Sequence, residues 1–174
     1  MKKIYIVLTY TGTILSKIVK IYTKKEFSHV SIALDEDLKY MYSFGRLNAY
    51  NPFWGGFVHE GINVGTFKRF KKTKSRIYSM QIPDENYEEV VKLIKDISQN
   101  KDKYSFNIIG LIGVAIHLKF KRERSFYCAE FVKYILEQSH IKNELPDLIK
   151  PEDFKELEGL DVVYSGILRE YSNS

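Results

Sequence analysis

A chain of 174 residues with one cysteine, Cys128, forms no disulfide within itself and builds no zinc site of the Cys-x-x-Cys type, so its fold has to be held by apolar packing. Enough material is present: 44% of the residues are hydrophobic and 14% aromatic. The length fits a single domain over residues 1–174. Cysteine usage carries no mark of an oxidising compartment, and a reduced cytoplasm is the expected location.

The opening Met1-Lys-Lys-Ile-Tyr-Ile-Val-Leu-Thr9 has the charged and apolar parts of a signal peptide. Polar Tyr10-Thr-Gly-Thr13 interrupts it without a clean small-residue cleavage site, so it reads as a first β-strand. No apolar run approaches the roughly 20 residues of a membrane span. The nearest, Phe106 to Leu118, is too short and contains Asn107 and His117. The formal charge is +5, with basic residues clustered over 68–76 and 119–124. Such runs attract anionic lipid, nucleic acid or acidic polymers, or are simply solvated charge at loops and strand edges.

Hydrophobic periodicity orders the chain. Ile4 to Thr9 is a strand, and Ile14, Leu15, Ile18, Val19 and Tyr22 recur at helical spacing, predicting a helix over Thr13–Tyr22 capped by Thr11 or Thr13. His29 to Leu34 and Lys39 to Ser43 form a hairpin about the acidic turn Asp35-Glu-Asp37, with His29 at its leading edge. Residues 45–66, rich in Gly, Asn and aromatics, read as a long loop returning as a short strand near Ile62 to Phe67. Arg76 to Ile82 is a strand, and Pro83-Asp84 opens a helix with Tyr87, Val90, Val91, Ile94 and Ile97 on its apolar face. Phe106 to Leu118 is a buried helix. In the next helix Cys128, Phe131, Val132, Ile135 and Leu136 share one face, so the thiol points at the body of the domain. Pro151 to Leu157 is a short helix and Val162 to Leu168 a final strand.

Cys128 opens its helix, where unpaired N–H groups and the positive dipole end favour a thiolate, and Lys119, Lys121, Arg122 and Arg124 lie just upstream. It is the candidate nucleophile. A thiolate needs a partner that takes and returns a proton, and imidazole titrates in the right range. Of the four histidines, His117 and His140 sit at helix ends as caps or packing, and His59 lies in a loop. His29, preceded by Phe27-Ser28, is the best placed for chemistry. By composition alone a lone buried cysteine such as Cys128 is more often a small core residue than a nucleophile, and a strand-edge histidine such as His29 is usually structural.

Two stretches carry more. Ser16 through Ser28-His29-Val-Ser-Ile-Ala-Leu34 and Ser125-Phe-Tyr-Cys128-Ala-Glu-Phe-Val132 resemble the helix, Ser-His-Val-x-Ile-x-Leu and Tyr/Phe-Cys-Ser/Ala-Glu/Gln-Phe-Val pattern of circularly permuted NlpC/P60 proteins, the YiiX-like branch of papain-fold enzymes. Ile149-Lys-Pro151-Glu-Asp-Phe154 through Val163-Tyr-Ser-Gly166 is similar to that family's ending. In ordinary NlpC/P60 enzymes the cysteine precedes the histidine, whereas the order His29 then Cys128 is that of the permuted group. The resemblance implies an α+β, permuted papain-like fold in which an antiparallel sheet packs against helices including the one bearing Cys128. It also implies a Cys128/His29 pair acting on an acyl carbonyl through a thioester, with no metal and no organic cofactor.

The resemblance leaves the third group open. Family members orient the histidine from the next strand, here Lys39-Tyr-Met-Tyr-Ser43-Phe-Gly-Arg46, where Ser43 is the small polar candidate. Glu60 is its rival, His59 a weaker one, and a backbone carbonyl or water the remaining choices. The oxyanion is expected on the Cys128 N–H with Tyr10 or another polar group of the first strand end. Tyr10, Trp54 and Glu60 are also expected at the oxyanion or at the bound substrate. Phe53, Trp54 and Phe57 line an acyl pocket or cover the core.

The expected partner is a small-molecule, lipid or peptide acyl substrate, since permuted relatives include lipid acyltransferases and thiol isopeptidases. The basic runs and aromatic loop tilt the choice to a lipid-like or anionic one, and an anionic surface is a further possible partner. The alternative is a non-catalytic binding domain using the basic surface on nucleic acid or anionic membrane, though no helix-turn-helix, RNP or zinc module supports specific nucleic-acid binding. A redox thiol is a third possibility, lacking a resolving cysteine within the chain.

Overall fold

The computed structural model describes residues 1–47, 55–107, 110 and 123–172. The chain is α+β. Its centre is a six-stranded antiparallel sheet of β1 (Lys2–Tyr10), β2 (His29–Ala33), β3 (Met41–Arg46), β4 (Gly55–Glu60), β5 (Lys74–Ile82) and β8 (Leu160–Ile167), in the order β4-β3-β2-β1-β5-β8. The helices are α1 (Ile14–Thr23), α2 (Gly65–Arg69), α3 (Asp84–Gln99) and α4 (Cys128–Gln138). A short parallel pair, β6 (Ser105–Phe106) with β7 (Ser125–Phe126), leads into α4.

Both faces of the central sheet are covered, which is why β1 is apolar at consecutive positions rather than alternate ones. Ile4, Ile6 and Leu8 point with Val30, Ile32 and Phe44 into the larger core, against α3 and α4. Tyr5 and Val7 point with Ala33, Met41 and Ile77 into a second cluster closed by Phe67 and Leu168. On α4, Phe131, Val132, Ile135 and Leu136 are fully buried and Cys128 is 5% exposed, as the shared face required. The helix is stopped by His140 in the left-handed conformation (φ 57°), with the N–H groups of His140 and Ile141 donating to the carbonyls of Glu137 and Leu136. That closes the last turn as a Schellman cap, so His140 is a helix terminator.

The β2–β3 hairpin is pinned by Asp35, whose carboxylate accepts from the backbone N–H groups of Lys39 (2.9 Å) and Tyr40 (2.7 Å). Thr13 caps α1, accepting from the Ser16 N–H at 3.3 Å. Two expectations meet a different outcome. The return strand is β4, not 62–67: Val64 N–H closes a turn onto the Gly61 carbonyl, and Gly65 at φ 52° breaks extended backbone and opens α2. The segment 151–157 is a 3₁₀ turn, Pro151–Glu156. The apolar stripe of α1 is split: Val19 is buried and Leu15 half-buried toward the cleft, while Ile14, Ile18 and Tyr22, with Ile21, are exposed. The helix expected over 106–118 falls almost wholly outside the described residues, together with His117, Lys119, Lys121 and Arg122. Among the described residues no helix is long and apolar enough to cross a membrane.

Candidate active site

His29 opens β2 and Cys128 opens α4, and the two element starts line one small cleft of about 70 Å³. The approach to His29 is fixed at consecutive residues. Phe27 N–H donates to Glu152 (3.0 Å), Ser28 N–H donates to the Thr9 carbonyl (3.1 Å), and His29 itself pairs with Thr9 across β1 and β2. Glu152 is held in turn by Lys155, whose ammonium sits 5.0 Å over the Phe27 ring.

The start of α4 is fixed as firmly. Tyr127 is buried and its hydroxyl donates to the Ile149 carbonyl at 2.8 Å. Burial raises its phenol far above the ordinary range, so the group stays a donor. Glu130 reaches back to the Tyr127 N–H (3.2 Å) and accepts from the Asn107 side chain (3.1 Å), tying the helix to the end of β6. The first N–H groups of a helix have no partner within it, so the Cys128 N–H is available at the cleft.

The His29 ring is held by Glu60. Nε2 lies 3.1 and 3.2 Å from the two Glu60 oxygens, and a carboxylate only accepts, so Nε2 carries the proton and Nδ1 remains for the thiol. Ser31, two residues along the same strand face, donates to Glu60 at 2.5 Å, with its oxygen 3.4 Å from Nε2. The side chains of His29 and Glu60 are only 20% and 14% exposed. Burial is the largest influence on the ring and favours its neutral form. It is outweighed by the charge of Glu60, by the hydrogen bond and charge of Cys128, and by the hydrogen bond to Glu60, which together carry the His29 pKa from 6.5 up to about 10. The ring therefore holds its proton at neutral pH, between a carboxylate and a sulfur.

Gly45 on β3 flanks the ring: a Cβ there would lie 3.5 Å from His29 Cε1, in ordinary van der Waals contact. Phe67 of α2 closes the other side, its ring centroid 6.4 Å from that of His29. Thr11, Thr13, Ser16 and Ser28 supply polar cleft lining, and Leu15, Val19, Phe44 and Phe106 the apolar part.

Cys128, His29 and Glu60 come together. Ser43 does not: it is fully buried and its hydroxyl donates to the Val30 carbonyl at 2.7 Å, so it holds the β2–β3 pair rather than the histidine. Glu60 takes the orienting place given to Ser43, and is no oxyanion donor, being an acceptor itself. Tyr10 lies beneath the Lys20 ammonium (4.7 Å) and is not in the cleft lining, where Thr11, one residue on, stands instead. His59 is exposed on β4, with Nε2 donating to the Lys39 carbonyl at 2.7 Å and its ring stacked on Tyr42. Phe57 packs on Tyr42, Phe44 and Phe131 as part of the core. Trp54 and Phe53 lie outside the described residues. Ser31 was missed by sequence reasoning, although strand alternation from His29 puts it on the same face. The chain matches no family model and no curated protein sequence.

Proposed function

We propose that this protein is a thiol-dependent amide or ester hydrolase or acyltransferase of the circularly permuted NlpC/P60, YiiX-like branch of papain-fold enzymes. The observation that carries the reading is a single imidazole placed between the only cysteine and a largely buried carboxylate. The histidine-before-cysteine order and an antiparallel sheet backing the cysteine helix support the permuted papain-like assignment.

In this reading the Cys128 sulfur adds to the acyl carbonyl, and the carbonyl oxygen takes the negative charge facing the Cys128 N–H. His29 then gives its proton to the departing amine or alcohol as the carbon–heteroatom bond breaks, leaving a thioester on Cys128. Water or an amine, deprotonated by His29, attacks the thioester and releases the thiolate. Glu60 keeps Nε2–H fixed and stabilises the imidazolium, and Ser31 keeps Glu60 fixed.

The test is acyl-enzyme formation. Brief exposure to p-nitrophenyl acetate or butyrate, followed by mass mapping, should place one hydroxylamine-labile acyl group on Cys128. His29→Ala should slow its appearance by on the order of 10²–10⁴-fold, the range of general acid–base catalysis. Acylation spread over lysines with Cys128 untouched would overturn the proposal.

A further inference from the structure

An amphipathic helix in a globular protein ordinarily turns its apolar stripe to the core. α1 does so only with Val19 and the half-buried Leu15. Its inner face is Ser16, Val19 and Thr23, all buried, with the Ser16 and Thr23 hydroxyls donating to the carbonyls of Thr13 (2.9 Å) and Val19 (2.8 Å). Its outer face is Ile14 (81% exposed), Ile18 (44%), Ile21 (70%) and Tyr22 (59%). At about 100° per residue, Lys17, Lys20 and Lys24 form a row along one flank of that apolar stripe. None of the three pairs with a carboxylate among the described residues.

We propose that the outer face of α1 docks on an anionic lipid bilayer. Four large apolar side chains beside a lysine row are the combination that an interfacial helix uses, burying the stripe among acyl chains while the ammonium groups reach lipid phosphates. Charge complementarity selects this occupant over a second copy of the chain, whose own lysine row would be brought against the first. Area selects it too. A ten-residue helix is about 15 Å long and about 10 Å wide, a footprint far below the roughly 800 Å² per partner of a stable protein interface.

Further basic residues, Lys68 and Arg69 of α2 and Lys71 and Lys72 after it, follow the cleft-lining Thr66 and Phe67. Since Leu15, Ser16 and Val19 of α1 line the Cys128 cleft, docking brings that cleft to the lipid–water boundary. Docking itself needs neither the thiol nor the histidine, so it stands apart from the catalytic reading.

The full chain would be sedimented with phosphatidylcholine vesicles, with and without phosphatidylserine, across a salt series. The expected result is salt-sensitive binding that requires phosphatidylserine, unchanged in Cys128→Ala. Each large apolar side chain is worth about tenfold in partition, so Ile18→Ser with Ile21→Ser should weaken binding at least tenfold. Lys17→Glu with Lys24→Glu should abolish the preference for phosphatidylserine. All four positions are exposed, so the variants should fold, and circular dichroism checks that they do. A wild-type protein that stays in the supernatant, or variants that bind as it does, would overturn the proposal. So would a lipid-free dimer in sedimentation velocity that Ile18→Ser with Ile21→Ser dissolves.

Discussion

Cys128 and His29 have different needs, and their neighbours meet them differently. The sulfur needs a nearby cation, and the ring needs an anion on its far side to remain one; Glu60, 3.1 Å from Nε2, is that anion. If the carboxylate charge holds the proton, Glu60→Gln should let the His29 titration fall from about 10 back toward 6.5, as followed by NMR of the ring. Ser31→Ala, which removes only a donor to Glu60, should move it less in the same direction. A Glu60→Gln ring that titrates as the wild type does would mean that Glu60 is a bystander. Of these residues, Cys128 and His29 were candidates from their positions at element starts, and the resemblance of their flanking motifs singled them out as a pair. Ser31 was legible in principle from alternation. Choosing Glu60 over Ser43 was not, because the choice depends on how three strands lie across one another. Ser43, nearer along the chain, spends its hydroxyl on Val30.

Among the elements, those set by local period came through at nearly the expected bounds: β1, α1, β2, β5, α3, α4 and β8. Period does not say which way a face looks. The apolar stripe of α1 was read correctly as a helix, yet Val19 is its one fully buried member, beside Ser16 and Thr23, while Ile14, Ile18 and Tyr22 are exposed. The strand expected over 62–67 failed for a local reason, the left-handed Gly65, which a residue count of β-formers does not register. α1 also depends on one cap. Thr13 accepts from Ser16 N–H and stands 3.2 Å from the Thr11 hydroxyl, so Thr13→Ala should cost about 1 kcal/mol in urea denaturation. The same change should loosen the α1 side of the cleft, raising KM for an acyl substrate more than it lowers kcat. A Thr13→Ala protein as stable as the wild type would show that packing on Val19, not the cap, sets the start of α1.

Across the whole molecule, the centre of the sheet is covered on two faces while the groups of the candidate site gather at one end, where β2 and α4 begin. Stability and chemistry are therefore coupled through one proton. The folded chain binds the His29 proton more tightly than the unfolded chain does, about 10 against 6.5, so the pair contributes fully below pH 6.5 and its contribution fades as pH rises through about 10. Glu60→Gln should accordingly be destabilised by about 1–3 kcal/mol at pH 6, the worth of a hydrogen bond to a charged group. That difference should narrow toward pH 10. Equal destabilisation at both ends of the range would place the effect in packing instead of in the proton.

The central claim, that His29 and Cys128 act as one unit, is tested most directly by the rate of Cys128 alkylation with iodoacetamide against pH, in the native protein and in His29→Ala. A protonated ring beside the sulfur predicts fast alkylation of Cys128 at neutral pH in the native protein and clearly slower alkylation in the variant. A thiol inert until the chain is denatured, or one that reacts identically without His29, would contradict it.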